Sequence, residues 1–330
     1  MNVFLSCDWG TSTLRLNLVN GYDGSIIAHE KSDLGIAKTF ALWNATDSAN
    51  KNSRVSFYLD VLQDHIRNME RKLNTSLSWV KLFISGMASS TIGIIELPYS
   101  ELPFALSGAG FNMTQLPVQE DFDHEVILIS GVKTMIDVMR GEESQLIGCM
   151  EAIEDSSKPQ LFIFPGTHSK HIYVSDNTIT SFKTYMTGDF FELLSQKSIL
   201  HNSVEKESTL DDPDCLTSFK QGVNDSINSN LLNGAFRVRT NSLFDIYNKK
   251  QNFTYLSGLL IGTELKELII SNAETIHLIC GTGLEKYYRT AFEELKLSKQ
   301  IKTYLPQWVD EAVIRAHHTI YSQINNSYEK

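Results

Sequence analysis

Cysteine, positive charge and long apolar runs are all scarce in this sequence, and each shortage excludes something. The 330 residues hold four cysteines, Cys7, Cys149, Cys215 and Cys280. They form no CxxC pair and no metal-ligand spacing, and three of them sit in apolar or strand-like runs and read as buried thiols. Lysine and arginine number 29 against 39 aspartates and glutamates, a formal net charge of −10. A nucleic-acid surface needs clustered cations, so no nucleic-acid partner is expected, although a local basic pocket remains compatible with the balance. No apolar run reaches the roughly 18 residues of a membrane span, and MNVFLSCDWG has no basic n-region or cleavage-like site. The expectation is a soluble, reduced, cytoplasmic protein with no membrane partner. What is present, 42% apolar and 21% charged residues, is an ordinary globular composition. The length suggests two domains of about 150 residues each.

Val3–Cys7 reads as a buried strand. Leu14–Asn20 alternates apolar and polar with period two, and Asn20-Gly21 and Asp23-Gly24 are hairpin-turn chemistry before a third strand, Ser25–His29. Residues 41–54 read as a loop. Val55–Leu73 has helical periodicity. Strands are expected at Val80–Ile84 and Glu125–Ile129, and helix over Met135–Met150. After a polar break at Glu154–Pro159, a second meander repeats the first: Leu161–Phe164, the turn string PGTHSK, His171–Val174, then Thr178–Tyr185. A hinge is expected within 138–160. Thr187 is expected to cap an amphipathic helix running to Leu200. Phe253–Ile270, with Gly258 and Gly262, reads as a buried helix in close contact with its neighbours. A strand at Ile276–Cys280, the glycine turn Gly281-Thr282-Gly283, a helix at Leu284–Leu297 and a final helix at Gln307–Gln323 complete the chain. His317-His318 reads as exposed helix surface.

The chemistry-bearing signal is the pair of strand–turn–strand units with small, hydroxyl-rich turns. Such a turn points successive backbone N–H groups into one concavity that can receive phosphate oxygens. The first turn supplies Gly10, Thr11, Ser12 and Thr13, the second Gly166, Thr167, His168 and Ser169. Asp8, leaving the first strand, is the candidate carboxylate for a hydrated Mg²⁺, held through water.

At these residues the chain resembles a known family. Asp8–Thr13 resembles the opening turn of the actin-like ATPase and sugar-kinase superfamily. CDWGTSTLR, GMASSTIG followed by LPY, VMRGEESQLIG, PGTHSK, TYMTGDFFELL and LSGLLIGTEL, in this order over residues 7 to about 266, resemble the 2-dehydro-3-deoxygalactonokinase family. The resemblance implies an α/β protein of two ribonuclease-H-like domains, 1–140 plus 307–330 and 141–306, with an interdomain active-site cleft. It implies ATP and Mg²⁺ as nucleotide and metal. The reaction would be transfer of the γ-phosphoryl group to the terminal hydroxyl of 2-dehydro-3-deoxy-D-galactonate or a closely related sugar acid.

Residue roles follow as expectations from that likeness. Glu142 is the first candidate for the base, with Glu143 and Asp189 as alternatives. Arg140 is the candidate cation for the substrate carboxylate, because its planar fork matches a carboxylate in two bonds. Lys170 and Arg15 are phosphate-side candidates, and Gly281, Thr282 and Gly283 would form the adenosine-side loop. Gly86, Met87 and Thr91, with Asp189, would belong to the sugar pocket. The chain departs from the family pattern at Ile94, where tryptophan is usual, at Ser130, where proline is common, and at His317-His318. The first two put substrate choice in question, and the third adenine binding from the chain's end. The alternatives are a nucleotide-binding regulator of the same fold without productive sugar phosphorylation, and a kinase of a neutral sugar. A homodimer is admitted as a further partner.

Overall fold

The computed structural model describes residues 2–46, 53–108, 110–117, 119, 121–150, 158–206, 208–271, 273–297 and 299–328. Part of the expected loop (47–52), most of the expected polar break (154–157) and the middle of the expected hinge (151–157) lie outside the described residues. The chain divides into two compact units. Unit 1 comprises Met1–Ser156, Asn177–Ser181 and Gln307–Lys330, and unit 2 comprises Ser157–Asp176 and Phe182–Pro306.

Unit 1 opens with β1 (Val3–Trp9), β2 (Leu14–Asn20) and β3 (Ile26–Ser32), an antiparallel meander. Then come α1 (Ile36–Ala45), whose second half falls in the segment expected to be loop, and α2 (Arg54–Leu73). Next are β4 (Leu82–Gly86), the short β5 (Ser100–Glu101) and β6 (Phe104–Ala105), β7 (Met113–Leu116), β8 (Val126–Ile129), β9 (Val132–Lys133), β10 (Val138–Met139) and α3 (Glu142–Cys149). The main sheet runs β3-β2-β1-β4-β8-β7, with β4 parallel to β1 and β8 parallel to β4. β2 keeps the expected alternation, Leu14, Leu16 and Leu18 buried against Arg15 and Asn17 at the other face. α2 is capped by the Ser53 hydroxyl, which accepts the Ser56 N–H, and it ends at Asn74 in the left-handed conformation. Its buried stripe, Tyr58, Leu59, Leu62, Ile66 and Met69, packs with Trp9, Leu16 and Ile84 into the core.

The second sheet repeats that order of strands with β11 (Gln160–Phe164), β12 (Ser169–Ser175), β13 (Thr178–Tyr185, whose residues to Ser181 group with unit 1), β14 (Thr275–Leu278) and β15 (Gln300–Thr303), arranged β15-β14-β11-β12-β13. Two antiparallel strands beside the first, and two parallel ones on its other side, make each unit ribonuclease-H-like, the fold expected from the resemblance. The helices of unit 2 are α4 (Thr187–Glu192), α5 (Pro213–Asn228), α6 (Leu231–Leu243), α7 (Lys249–Leu265) and α8 (Thr282–Glu294). α5 and α7 touch through backbone: a Cβ on Gly258 would stand 2.1 Å from Phe219 O. The expected close contact of this buried helix is therefore real. α9 (Pro306–Asp310) and α10 (Ala312–Tyr328) belong to unit 1, where Arg315 Nε on α10 donates to Gly148 O of α3 at 2.8 Å.

Three expectations about elements are corrected. Residues 135–141 are not helical: β9 and β10 form a small hairpin whose turn is fastened by Thr134 Oγ1, which accepts the Ile136 and Asp137 N–H groups. Helix starts only after Gly141, at φ +105°. Thr187 is not a cap, because its hydroxyl donates to Glu264, and α4 gives way to a wider π-type turn at Leu193–Lys197. His317 is fully buried, its Nδ1 2.8 Å from Ser6 Oγ, and His318 stacks on Phe4. Both helix neighbours lie against the outer face of β1, so the pair is packing and not surface. Burial holds the His317 imidazole down at about 3. All four cysteines are buried. No described helix is long and apolar enough to cross a membrane.

Candidate active site

In unit 1 the candidate residues gather at the ends of β1 and β4. Asp8 is paired with Arg15 across the antiparallel ladder and with Ser85 across the parallel one, and Trp9 lies opposite Gly86. Arg15 Nη1 donates to Asp8 Oδ2 at 3.1 Å, and the Asp8 side chain is 20% exposed. Burial pushes the Asp8 carboxyl upward, the Arg15 guanidinium pulls it back, and the charge of Glu142 adds to the rise. Gly86 has φ +85°, and a Cβ there would lie 2.9 Å from Trp9 O. The position therefore demands glycine on two grounds. Gly141 comes so near that its own Cβ would stand 3.6 Å from Gly86 Cα, which brings the start of α3 to Asp8.

The two glutamates that open α3 behave differently. Glu143 is fully buried and turns back on its own helix end, with Oε1 and Oε2 at 2.9 and 2.8 Å from the Gly141 N–H. Its carboxyl is pushed up to about 7, chiefly by burial and then by the charge of Glu142. Glu142 is half-buried and accepts the Arg140 N–H on Oε2 at 3.1 Å. Arg140 lies 4.3 Å over the Tyr99 ring and donates through Nη1 to Ser89 O and Oγ. Met87 is half-buried and Thr91 exposed. Their loop is braced by Tyr58 OH on Ile92 O at 2.6 Å and by Arg54 Nη1 on Thr91 O at 2.8 Å. Ile94 sits in the core at 1% exposure, and Ser130 is buried beside Ser100.

In the first turn the Gly10 N–H closes the hairpin on Thr13 O at 2.9 Å, while Thr11 and Ser12 are exposed. Thr11 O and Gly10 O accept the N–H groups of Ala37 and Ile36 at the start of α1, so this turn is held by α1.

In unit 2 the second turn, Gly166–Ser169, is pressed against the start of α4. A Cβ on Gly188 would lie 2.6 Å from Gly166 O and 2.7 Å from Thr167 Cα, and the Asp189 N–H donates to Thr167 O at 3.0 Å. His168 Nε2 is 3.7 Å from Asp189 Oδ2. Asp189, expected among the sugar-pocket residues, stands beside the second turn. Lys170 is 5% exposed and its Nζ donates to His168 O at 3.0 Å, back onto the turn's own backbone. A cavity of about 490 Å³ is lined by Gly166, Thr167, Gly188, Phe253, Gly283 and Tyr287, among others. It joins the second turn to the start of α8, capped by Gly281. A Cβ at Gly166, Gly281 or Gly283 would meet nothing within 4 Å, which leaves room at the cavity mouth. A larger open depression along α2, lined by Arg67, Arg71 and Ser76, contains none of the candidate residues.

Two residues of this geometry were not anticipated from the sequence. Tyr99 backs Arg140, and Glu264 is a buried acid in unit 2. Each had a faint signal: the first closes the LPY string, and the second is a lone acid in the apolar run LSGLLIGTEL.

With these positions in view, comparison with known proteins decides the family. The sequence profile of the 2-keto-3-deoxy-galactonokinase family matches residues 8–314. The chain belongs to that family. It is 28% identical over 306 residues to a Rhizobium meliloti protein described as a probable 2-dehydro-3-deoxygalactonokinase, covering 89% of this chain and 90% of that one. It is 27% identical over 299 residues to the 2-dehydro-3-deoxygalactonokinase of Escherichia coli, covering 88% and 90%. The crystal structure of a Sinorhizobium meliloti protein, described provisionally as the same kinase, superposes with a TM-score of 0.78 at 27% identity, covering 97% and 98%. As a member of the family the chain is a kinase, a phosphotransferase with an alcohol group as acceptor.

Proposed function

We propose that this kinase transfers the γ-phosphoryl group of ATP to the terminal hydroxyl of 2-dehydro-3-deoxy-D-galactonate or a closely related 2-keto-3-deoxy sugar acid. The observation that carries the reading is the extent of the family match, from Asp8 to Ile314, which takes in both turns and VMRGEESQ. The regulator alternative is not favoured by it.

The residues divide the work. The backbone of Gly166–Ser169 and Gly188 receives phosphate oxygens, and the cavity that continues toward Gly283 receives the nucleoside. Asp8 fits Mg²⁺: it offers one partly exposed carboxylate, and no group of three His, Cys, Asp or Glu side chains among the described residues could form a protein cage. A hydrated Mg²⁺ takes one or two carboxylates plus water and phosphate oxygens. When bound, it would neutralise charge on the transferring phosphoryl group. Glu142 is the base that accepts the hydroxyl proton, since it is the glutamate of the pair with solvent access. Glu143 instead has both oxygens on the Gly141 N–H. Arg140, stiffened by Tyr99 and Ser89, takes the substrate carboxylate. Ile94, being in the core, does not present its side chain to substrate, so this departure reaches specificity only through packing.

A coupled ADP-release assay with ATP, Mg²⁺ and a panel of sugar acids tests the reading. Turnover with a 2-keto-3-deoxy acid and none with the matching neutral sugar is expected. ADP binding without turnover on any acid would overturn it.

A further inference from the structure

Unit 2 contains a buried carboxylate that the reaction as described does not use. Glu264, on α7 and 2% exposed, accepts four side-chain hydrogen bonds. Ser169 Oγ donates to Oε1 at 2.7 Å and His171 Nε2 to the same oxygen at 2.9 Å. Tyr288 OH donates to Oε2 at 2.9 Å, and Thr187 Oγ1 donates there as well. A carboxylate inside a protein is costly unless its lone pairs are filled, and here the filling is done by three separate elements around one cavity.

Each partner has a position that matters. Ser169 closes the second turn, and His171 follows it on β12. Thr187 immediately precedes Gly188, whose backbone touches the turn closely enough that a Cβ would lie 2.6 Å from Gly166 O. Tyr288 sits midway along α8, the helix opened by Gly281–Gly283. Burial, reinforced by the charge of Glu264, raises the Tyr288 hydroxyl well above its usual value, so it remains a donor. One carboxylate thus fixes the turn, the strand after it, the start of α4 and the middle of α8 against one another.

We infer that Glu264 is a positioning residue for the nucleotide, holding Gly166–Ser169 at its spacing from Thr187–Gly188 and from α8 without itself touching the phosphates. The inference rests on the reading that this turn receives the nucleotide.

The test uses the full chain and Glu264→Gln, which keeps the shape but places an amide among four donors. ADP affinity by calorimetry, KM for each substrate and the melting temperature are measured together. Loss of one charge-assisted bond at the turn predicts ADP binding weaker and KM for ATP higher by on the order of tenfold. KM for the sugar acid and kcat at saturating ATP should stay within about twofold, and Thr187→Val added to Glu264→Gln should change little more, since both break one network. A folded Glu264→Gln protein with unchanged ADP affinity, or with both KM values raised equally, would overturn the inference. If that variant does not fold, Thr187→Val and Tyr288→Phe carry the test, and an unchanged KM for ATP in both overturns it. A wild-type protein that binds ADP in a Glu264-dependent way yet phosphorylates no acid would refute the kinase reading and leave this inference standing. An active enzyme whose KM for ATP ignores Glu264 would do the reverse.

Discussion

Replacing Glu143 by glutamine should change stability by an amount that depends on pH, and the dependence can be worked out in advance. The folded state lifts this carboxyl from 4.5 to about 7, because the side chain is fully buried beside Glu142. Between those two values the folded chain holds a proton that the unfolded chain has released. Stability therefore falls as pH rises through this window. The contribution is nearly complete below 4.5 and gone above 7. Between pH 5 and pH 8 the wild-type protein should lose about 2.5 kcal/mol that a glutamine, which does not titrate, keeps. Glutamine also brings a constant penalty of about 1–2 kcal/mol, because its amide NH₂ sits where the Gly141 N–H and Ser144 hydroxyl both donate. Glu143→Gln should thus be the less stable protein at pH 5 and the more stable at pH 8. Tryptophan fluorescence during urea unfolding reads this locally, since Trp9, Trp43, Trp79 and Trp308, all four tryptophans of the chain, belong to unit 1. With a urea slope of about 2–3 kcal/mol/M, the difference between variant and wild-type midpoints should move by about 1 M across the pH range. A difference that stays constant from pH 5 to pH 8 would refute the reasoning, because groups remote from Glu143 titrate equally in both proteins and cancel.

The remaining predictions concern turnover. Glu142→Gln should bind ATP and sugar acid normally while kcat drops by about 10²-fold or more, whereas Glu143→Gln keeps kcat within a few-fold; the opposite pattern in single-turnover kinetics would exchange their roles. Asp8→Asn should abolish Mg²⁺-dependent turnover without loss of folding, since the charge removed is one that burial already disfavours; wild-type kcat in this variant would remove Asp8 from the site. Gly188→Ala should raise KM for ATP at least about tenfold and lower the melting temperature by a few degrees, as its Cβ meets backbone of the second turn at 2.6 Å. Gly166→Ala is the contrast: its Cβ meets nothing in the protein, so the melting temperature should hold while ADP affinity, read by calorimetry, declines.

How much of this was legible depended on whether a residue's surroundings are local in sequence. The alternation of Leu14, Leu16 and Leu18 reports a half-buried strand directly, because period two is a property of the strand itself. Gly258 and Gly262 in an apolar run reported close helix contact, because only a missing side chain lets backbones approach that far. His317 failed for the opposite reason. Its burial depends on β1 being covered on both faces, and the residue that satisfies it, Ser6, lies 311 positions away. Residues 135–141 misled because their apolar content suits a helix, yet the chain there is a hairpin, and Gly141 at φ +105° fixes where helix begins. Thr187 misled in a more instructive way. A threonine ahead of Gly-Asp with an apolar run following satisfies every local rule for a cap, but a buried carboxylate 77 residues later in the sequence takes its hydroxyl. Glu264 itself reads along the chain as a polar interruption in LSGLLIGTEL, and its meaning appears only when Ser169, His171, Thr187 and Tyr288 are brought around it. Strings such as PGTHSK supply backbone that can face a phosphate, while what holds that backbone in shape comes from elsewhere in the chain. The part of a site that touches a ligand is thus encoded in short motifs, and the part that positions those motifs is distributed among contacts that no motif contains.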